Sequence, residues 1–215
     1  GGWDDPPSTN VHDELHARAL VLDDGATRVA IVVCDILCVP RGVFDEAKRM
    51  IREKAGIPVE NMLMAATHTH SASSARGPGR SIVTGALDEY QQFLAGRIRD
   101  AVVVAVKRLE PARLGAGVGS NGRQVFNRRW KMQPGNAALR NPFGGMDLVR
   151  MNPPRGDAAL IEPAGPTDPM IHFLSVQSVS GRPIALLANY SLHYVGGVAK
   201  GDISADYYGV FSGRI

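Results

Sequence analysis

Two histidines spaced two residues apart offer the clearest chemistry in this chain. His68 and His70 stand in the run Thr67-His68-Thr69-His70. In extended backbone, residues two apart point to the same side, so both imidazoles would face one space. Histidine is the commonest ligand in catalytic zinc sites, where about three protein ligands leave a position for water. The spacing predicts either a metal site or two polar histidines in a loop, and it does not choose between them.

A third histidine ends an apolar run near the end of the chain. His193 follows residues 184–191, which read as a strand. A histidine in that place is either a structural group with a hydrogen-bond partner or a ligand, and the pattern leaves both open. The metallo-β-lactamase pattern HxHxDH is absent, because Ala72 and Ser73 stand where it has Asp and His.

The elements that must position these residues can be predicted from the sequence pattern. Residues 16–22 and 28–34 read as strands on either side of an Asp-Asp-Gly turn, which predicts an antiparallel hairpin. Apolar residues then recur at helical spacing over 43–51. A third strand over 62–66 leads directly into His68. Strand, helix and strand over this distance predict a βαβ unit whose two strands are parallel.

Parallel strands bring two distant residues to one edge of the sheet. Asp35 follows the second strand and His68 follows the third. Ligands of open α/β sheets bind at the carboxyl ends of the strands, so this edge is the predicted site. Asp35 could orient a ligand histidine through its second ring nitrogen. It could equally be a capping or turn carboxylate before Pro40.

The rest of the chain completes an α/β prediction. A long amphipathic helix is expected over 88–109, with Tyr90 and Phe93 among its inward-facing residues. Residues 133–169 are rich in Pro, Gly and Asn and read as a long irregular excursion. Two more strands are expected over 171–179 and 183–191, and no regular structure is predicted after His193. The predicted fold class is a mixed β-sheet flanked by helices, with the βαβ unit near the N-terminus and site residues at strand C-terminal ends.

Composition narrows the function classes. The chain has 215 residues, is 44% hydrophobic and 21% charged, and carries a formal net charge of +3. Basic and acidic residues are interspersed, which predicts a solvated surface and no nucleic-acid partner. The longest apolar runs fall far short of the ~18 residues of a membrane span, which still allows peripheral membrane contact. Cys34 and Cys38 are too close together to close a useful loop and are expected to be small buried hydrophobes.

Several segments, taken in order along the chain, resemble the neutral (alkaline, non-lysosomal) ceramidases. Thr-His-Thr-His-Ser is the most specific of them, and the ordered set is stronger than any one segment. The matching segments are 12–25, 33–37, 66–71, Asn127-Arg128, Asp168-Pro169, 189–193 and 204–209.

The resemblance implies zinc-dependent hydrolysis of an N-acyl amide, with the cleavage of ceramide to sphingosine and fatty acid as the type reaction. In that family the first histidine of the Thr-His-Thr-His element and the histidine after the later strand bind Zn²⁺. These correspond to His68 and His193. The second histidine corresponds to His70 and the arginine after Asn to Arg128, and both are expected to line the site. His70 is expected to transfer a proton to the leaving amine, and Arg128 or His70 to stabilise the oxyanion.

The same resemblance implies a larger protein. The family's remaining zinc ligands, a Glu and a Tyr, come from a later part of its chain. Residues 1–215 are therefore expected to be the front portion of a single zinc hydrolase catalytic domain. A secreted or periplasmic protein is implied; no signal peptide is visible, and because the chain opens on Gly1 a start further upstream stays open. The alternatives are a related hydrolase acting on a smaller polar amide or ester, and a non-catalytic binding domain.

Overall fold

The structure is a computed structural model that describes residues 7–77, 85–137, 139–193 and 197–215. It divides into two compact units. The first unit takes in described residues within 1–113, 177–185 and 194–215, and the second takes in those within 114–176 and 186–193. Helices and several small sheets occur together, so the α/β prediction is confirmed.

The first unit contains the predicted βαβ unit. Strand β2 (Ala17–Asp23) pairs antiparallel with β3 (Arg28–Cys34), as expected for the hairpin. Helix α1 (Arg41–Ala55) follows and ends at Gly56, whose φ of 69° is the left-handed conformation that glycine adopts most easily. Strand β4 (Met62–Ala66) then pairs parallel with β3. Local sequence signals were sufficient to predict this part of the fold.

Helix α2 (Glu89–Lys107) packs against β2, β3 and α1 and begins with a capping box. The Asp88 carboxylate accepts the Gln91 N–H at 2.8 Å, and the Gln91 side chain accepts the Asp88 N–H at 3.0 Å. The Gln91 side chain also donates to the carbonyl of Ala75 at 2.7 Å, which turns this residue inward. The prediction that Tyr90 and Phe93 face the core is wrong, since they are 41% and 60% exposed.

The core of the first unit lies between this sheet and the two helices. Most of its fully buried members come from β3, α1 and α2. They include Val32, Cys34, Val43, Ala47, Ile51, Ala95, Ile98 and Val102. Burial of these side chains orders the strands whose ends carry Asp35 and His68.

A second, smaller sheet in the first unit joins residues from both ends of the chain. Strand β1 (Asn10–Val11) pairs parallel with β11 (Asp202–Ile203), and helix α3 (Asp206–Arg214) follows. No regular structure was predicted here, because the strands have two residues each and pair across the whole chain.

The second unit contains a sheet in a segment predicted to be largely irregular. Strand β6 (Arg129–Met132) pairs antiparallel with β7 (Val149–Met151) on one side and with β8 (Leu160–Pro163) on the other. The expectation of an irregular excursion over 133–169 is therefore wrong for β7 and β8. These strands have three and four residues, too few to show a period of two.

A further sheet has the strand order β10-β9-β5. Strands β9 (Met170–Ser178) and β10 (Pro183–Tyr190) agree with the sequence prediction within one residue at each end. Strand β5 (Ala112–Ser120) was missed because its glycines interrupt the pattern. Among the described residues, no helix has both the length and the apolar character needed to cross a bilayer.

Candidate active site

The parallel pair β3 and β4 positions the first group of candidate residues. Cys34 lies opposite Ala66 at the carboxyl ends of the two strands. Beyond them, the N–H of Thr67 donates to the Cys34 carbonyl at 2.9 Å, and the N–H of His68 donates to the Ile36 carbonyl at 3.1 Å. The segments that carry Asp35 and His68 thus run side by side at one sheet edge, as the topology predicted.

The backbone at His68 departs from the extended conformation that the sequence suggested. Its φ is 66°, in the left-handed region that residues other than glycine rarely occupy. A backbone conformation of this kind costs about 1–3 kcal/mol and persists only where the surroundings hold it in place. His68 and His70 therefore meet through a left-handed turn and not through strand alternation.

The His68 ring is oriented by a backbone carbonyl. Its Nδ1 lies 2.8 Å from the oxygen of Leu37. Because a carbonyl oxygen only accepts hydrogen bonds, Nδ1 carries the hydrogen and Nε2 keeps a lone pair. This is the arrangement that metal-binding histidines commonly show, with one nitrogen held by a carbonyl and the other turned to the metal.

The lone pair of His68 points to the second histidine of the motif. Nε2 of His70 lies 3.2 Å from Nε2 of His68, and the two rings meet edge to face at 87°. Two nitrogens 3.2 Å apart, each about 2.1 Å from a metal ion, would subtend about 100° at that ion, close to a tetrahedral angle. The pair therefore fits Zn²⁺ in donor type and in spacing.

Asp35 is tied mainly to β2. Its side chain is fully buried, and Oδ2 accepts hydrogen bonds from the N–H of His16 at 3.0 Å and from the Arg18 guanidinium. The sequence suggested that Asp35 could orient a ligand histidine, and in His68 the second ring nitrogen, Nδ1, is bonded to the Leu37 carbonyl. A role for Asp35 in orienting a ligand histidine stays a prediction.

The charge of Asp35 affects its neighbour in β3. Burial, assisted by that negative charge, raises the pKa of the Cys34 thiol to about 12. Cys34 is therefore a protonated, buried side chain, as the sequence suggested, whereas Cys38 is only half-buried.

In the second unit, the structure brings Arg128 and His193 together. Nη1 of Arg128 lies 3.3 Å from Nδ1 of His193. An arginine only donates hydrogen bonds, so Nδ1 of His193 is the acceptor. The lone pair that Arg128 now contacts is one that a metal ion could take instead.

Both residues line a cavity of about 480 Å³ in the second unit. Such a volume is within the usual range for small-molecule sites. Its walls are of mixed character, and the side chains that give it that character are Phe126, Asn127, Arg129, Met151, Thr167, Asp168, Ser191 and Leu192. Asp168 is held by the Ser191 hydroxyl at 3.4 Å and by the N–H of Met170 at 2.9 Å.

Sequence reasoning missed two contributors to the site. The Leu37 carbonyl could not be found because a backbone group has no residue-type signal. No role was predicted from the sequence for Thr69, which is completely buried and whose hydroxyl donates to the carbonyl of Ser204 at 3.0 Å. The position of a threonine between two polar histidines was the one feature of the sequence that hinted at this contact.

Comparison with known proteins agrees with the resemblance seen in the sequence. The crystal structure of neutral ceramidase from Pseudomonas aeruginosa matches 92% of this chain with 26% identity and a TM-score of 0.57. A structure of a ceramidase complexed with C2 matches 86% of the chain with 24% identity and a TM-score of 0.53, which supports the fold alone. No protein-family model matches the chain.

The chain spans less than a third of either structure, 29% and 26% of their lengths. It is therefore similar to one portion of neutral ceramidase.

Proposed function

We propose that this chain carries part of the active site of a zinc-dependent hydrolase of N-acyl amides, with His68 and His193 among the metal ligands. The observation that carries the proposal is the His68 ring, whose Nδ1 is held by Leu37 and whose Nε2 is turned to His70. His70 offers a second ring nitrogen beside that of His68, and in the second unit Nδ1 of His193 accepts a hydrogen bond from Arg128. The ordered resemblance of the sequence segments to neutral ceramidases implies His68 and His193 as ligands, and the structural likeness to one such enzyme supports the proposal.

The steps of amide hydrolysis can be assigned to the metal ion and to individual residues. A bound Zn²⁺ supplies Lewis-acid polarisation of an amide carbonyl and lowers the pKa of water toward about 7. His70, with Nε2 beside the ligand atom of His68, transfers a proton to the leaving amine. Arg128 donates hydrogen bonds to the oxyanion that forms from the carbonyl oxygen. The same spacing also fits a second assignment, in which His70 is itself a ligand.

We further propose that residues 1–215 form the front portion of one catalytic domain. A catalytic zinc site has three protein ligands or more, and the neutral ceramidase match extends over only 29% of that chain. Further ligands would come from outside the present sequence. The isolated chain is therefore expected to bind zinc more weakly than the full protein.

The substrate class proposed is an N-acyl amide with a lipid chain, of which ceramide is the type, in a secreted or periplasmic protein. The ceramidase likeness favours a lipid amide. The cavity beside His193 favours the alternative, a smaller polar amide or ester, because Arg128, Arg129 and Asp168 line it. These two substrates differ in chain length, so an activity assay separates them.

Metal analysis tests the central claim. The full-length protein, purified without chelators and supplied with zinc, should hold about one zinc per chain. Amide cleavage should stop on chelation and return when zinc is added. His68→Ala and His193→Ala should each lose metal and activity together, while His172→Ala, at an exposed position on β9, serves as the matched control. A full-length protein with no zinc and no hydrolysis would instead indicate a non-catalytic binding domain.

A further inference from the structure

A carboxylate near the N-terminus receives hydrogen bonds from the segment that precedes α3. Oδ1 of Asp13 accepts the N–H of Ala205 at 2.7 Å, and Oδ2 accepts the hydroxyl of Ser204. The pairing of β1 with β11 brings these residues together, and the N–H of His12 donates to the Ile203 carbonyl at 2.9 Å. Asp13 thus joins residues nearly two hundred positions apart in the sequence.

Ser204 links Asp13 to residues 67–71, which we call the histidine loop. The serine is buried, with 1% of its surface exposed. Its N–H donates to the carbonyl of Ser71 at 2.8 Å, and its own carbonyl accepts the hydroxyl of Thr69 at 3.0 Å. The residues on both sides of His70 are therefore bonded to one buried serine.

The hydrogen-bond partners of the Ser204 hydroxyl determine its orientation. Its oxygen accepts the N–H of Asp206 at 2.9 Å, so its hydrogen is directed to the Asp13 carboxylate. An ionised carboxylate is an acceptor only, which makes this direction unambiguous. The hydrogen-bonded chain runs from Asp13 through Ser204 to Thr69, which lies between His68 and His70.

We propose that Asp13 is a positioning residue that holds His68, the proposed metal ligand, and His70, the proposed proton donor, in their relative geometry, acting through Ser204 and Thr69. The inference rests on the function proposed for these two histidines. His68 has an unfavourable left-handed backbone, which local sequence does not maintain. A bond to the carbonyl of Ile36 supports the loop on one side, and the two bonds to Ser204 support it on the other.

Helix α3 provides a test site that leaves the carboxylate chemistry unchanged. A Cβ added at Gly209 would lie 3.2 Å from Oδ1 of Asp13 and 3.0 Å from the Cβ of Ala205. Gly209→Ala should therefore displace the carboxylate. Gly213, in the same helix, has open space around it, so Gly213→Ala is the matched control for the change in helix propensity.

The experiment uses the full-length protein and two measurements. The first is the Kd for Zn²⁺, obtained by competition with a chelating dye. The second is the ¹⁵N shift of the His68 and His70 ring nitrogens in the metal-free protein, which reports the tautomer without any bound metal. Asp13→Asn, Gly209→Ala and Thr69→Val should each raise the Kd about 10- to 100-fold and change the His68 signals. Thr69→Ser keeps the hydroxyl and should restore the wild-type Kd and the wild-type His68 signals. Gly213→Ala should change neither the Kd nor the signals.

The outcomes separate this inference from the proposed function. Folded Asp13→Asn and Thr69→Val proteins with unchanged ring signals and unchanged Kd would overturn the positioning role. A wild-type protein that binds no zinc would refute the proposed function, and the ring signals of the metal-free variants would still decide whether Asp13 positions the pair. If Asp13→Asn does not fold, the comparison of Thr69→Val with Thr69→Ser decides in its place.

Discussion

Nδ1 of His68 lies 2.8 Å from the carbonyl oxygen of Leu37, which belongs to the segment that follows the neighbouring parallel strand. The contact determines which nitrogen of His68 carries the hydrogen and directs the other nitrogen to His70. Because the partner is a backbone group, no single side-chain substitution removes it. The orientation of this ligand therefore depends on the packing of β3 against β4.

Substitution of each histidine in the pair should separate their roles. His68→Ala should remove zinc and activity together. His70→Ala should retain zinc but lose about 10²- to 10⁴-fold in turnover, the usual contribution of a positioned proton donor. The measurements are metal content by elemental analysis and kcat on an N-acyl amide. Loss of zinc from His70→Ala would make His70 a ligand, and retention of zinc by His68→Ala would reverse the assignment.

Asp35→Asn should affect stability as well as the site. The fully buried carboxylate accepts from the N–H of His16 and from Arg18, and replacing a charged acceptor there should cost about 1–3 kcal/mol of unfolding free energy. If Asp35 also orients a ligand histidine, zinc affinity of the folded variant should fall about 10- to 100-fold. Urea denaturation measures the first effect, and metal titration under fully folded conditions measures the second. A variant with lower stability and wild-type zinc affinity would show that the role of Asp35 is structural only.

The βαβ unit could be predicted because its signals are local. Valine and isoleucine in β3, the helical period of α1 and the position of β4 are sufficient to predict that Asp35 and His68 lie at one edge of the sheet. The left-handed backbone of His68 could not be predicted in this way, since no residue type near it requires a positive φ. Its stability comes from hydrogen bonds to residues distant in sequence, such as that between Thr69 and Ser204.

The sheet of the second unit was missed for a related physical reason. Strands β6, β7 and β8 are short, and each acquires its hydrogen bonds from a partner many residues away. A segment rich in Pro, Gly and Asn can therefore be ordered although its local propensities favour turns. Arg128 was identified through the family resemblance alone, and its contact with His193 joins residues 65 positions apart in the sequence, which no local pattern encodes.

The two cysteines should differ in their reaction with alkylating reagents. Burial and the Asp35 charge raise the pKa of Cys34 to about 12, so at pH 8 almost none of it is thiolate, the reactive form. Iodoacetamide should modify half-buried Cys38 in the native protein, and Cys34 only after denaturation. Peptide mass spectrometry identifies the modified residue. Native-state labelling of Cys34 at the rate of Cys38 would contradict the packing of β3.

The Asp13 contacts should make part of the stability depend on pH. Burial opposes ionisation of Asp13, but hydrogen bonds from Ser204 and Ala205, together with His12, leave its pKa below the usual value. A lowered pKa in the folded state gives stability that is present above the unfolded pKa of about 3.9 and is lost as pH falls through the folded value. Asp13→Asn should therefore be less stable than wild type at pH 7, with a difference that narrows below pH 4. Denaturation curves at several pH values measure this difference in stability. His12→Gln changes an exposed partner of Asp13 and should alter the stability little.

The cavity beside His193 gives a test of substrate class. A hydrolase of long-chain ceramides needs an extended apolar wall, and Phe126, Met151 and Leu192 are the large apolar side chains that line this cavity. Arg128, Arg129 and Asp168 line it too and would suit a polar substrate.

The assay compares long-chain ceramide with short N-acyl amines at matched concentrations in detergent, using the full-length protein. If the substrate is a lipid, Met151→Ser should raise KM for ceramide several-fold and leave the short amines almost unchanged, because only the long chain reaches the apolar wall. A clear preference of the wild type for the short compounds, with Arg129→Ala reducing their turnover more than that of ceramide, would keep the zinc amidase proposal and exclude ceramide as its substrate.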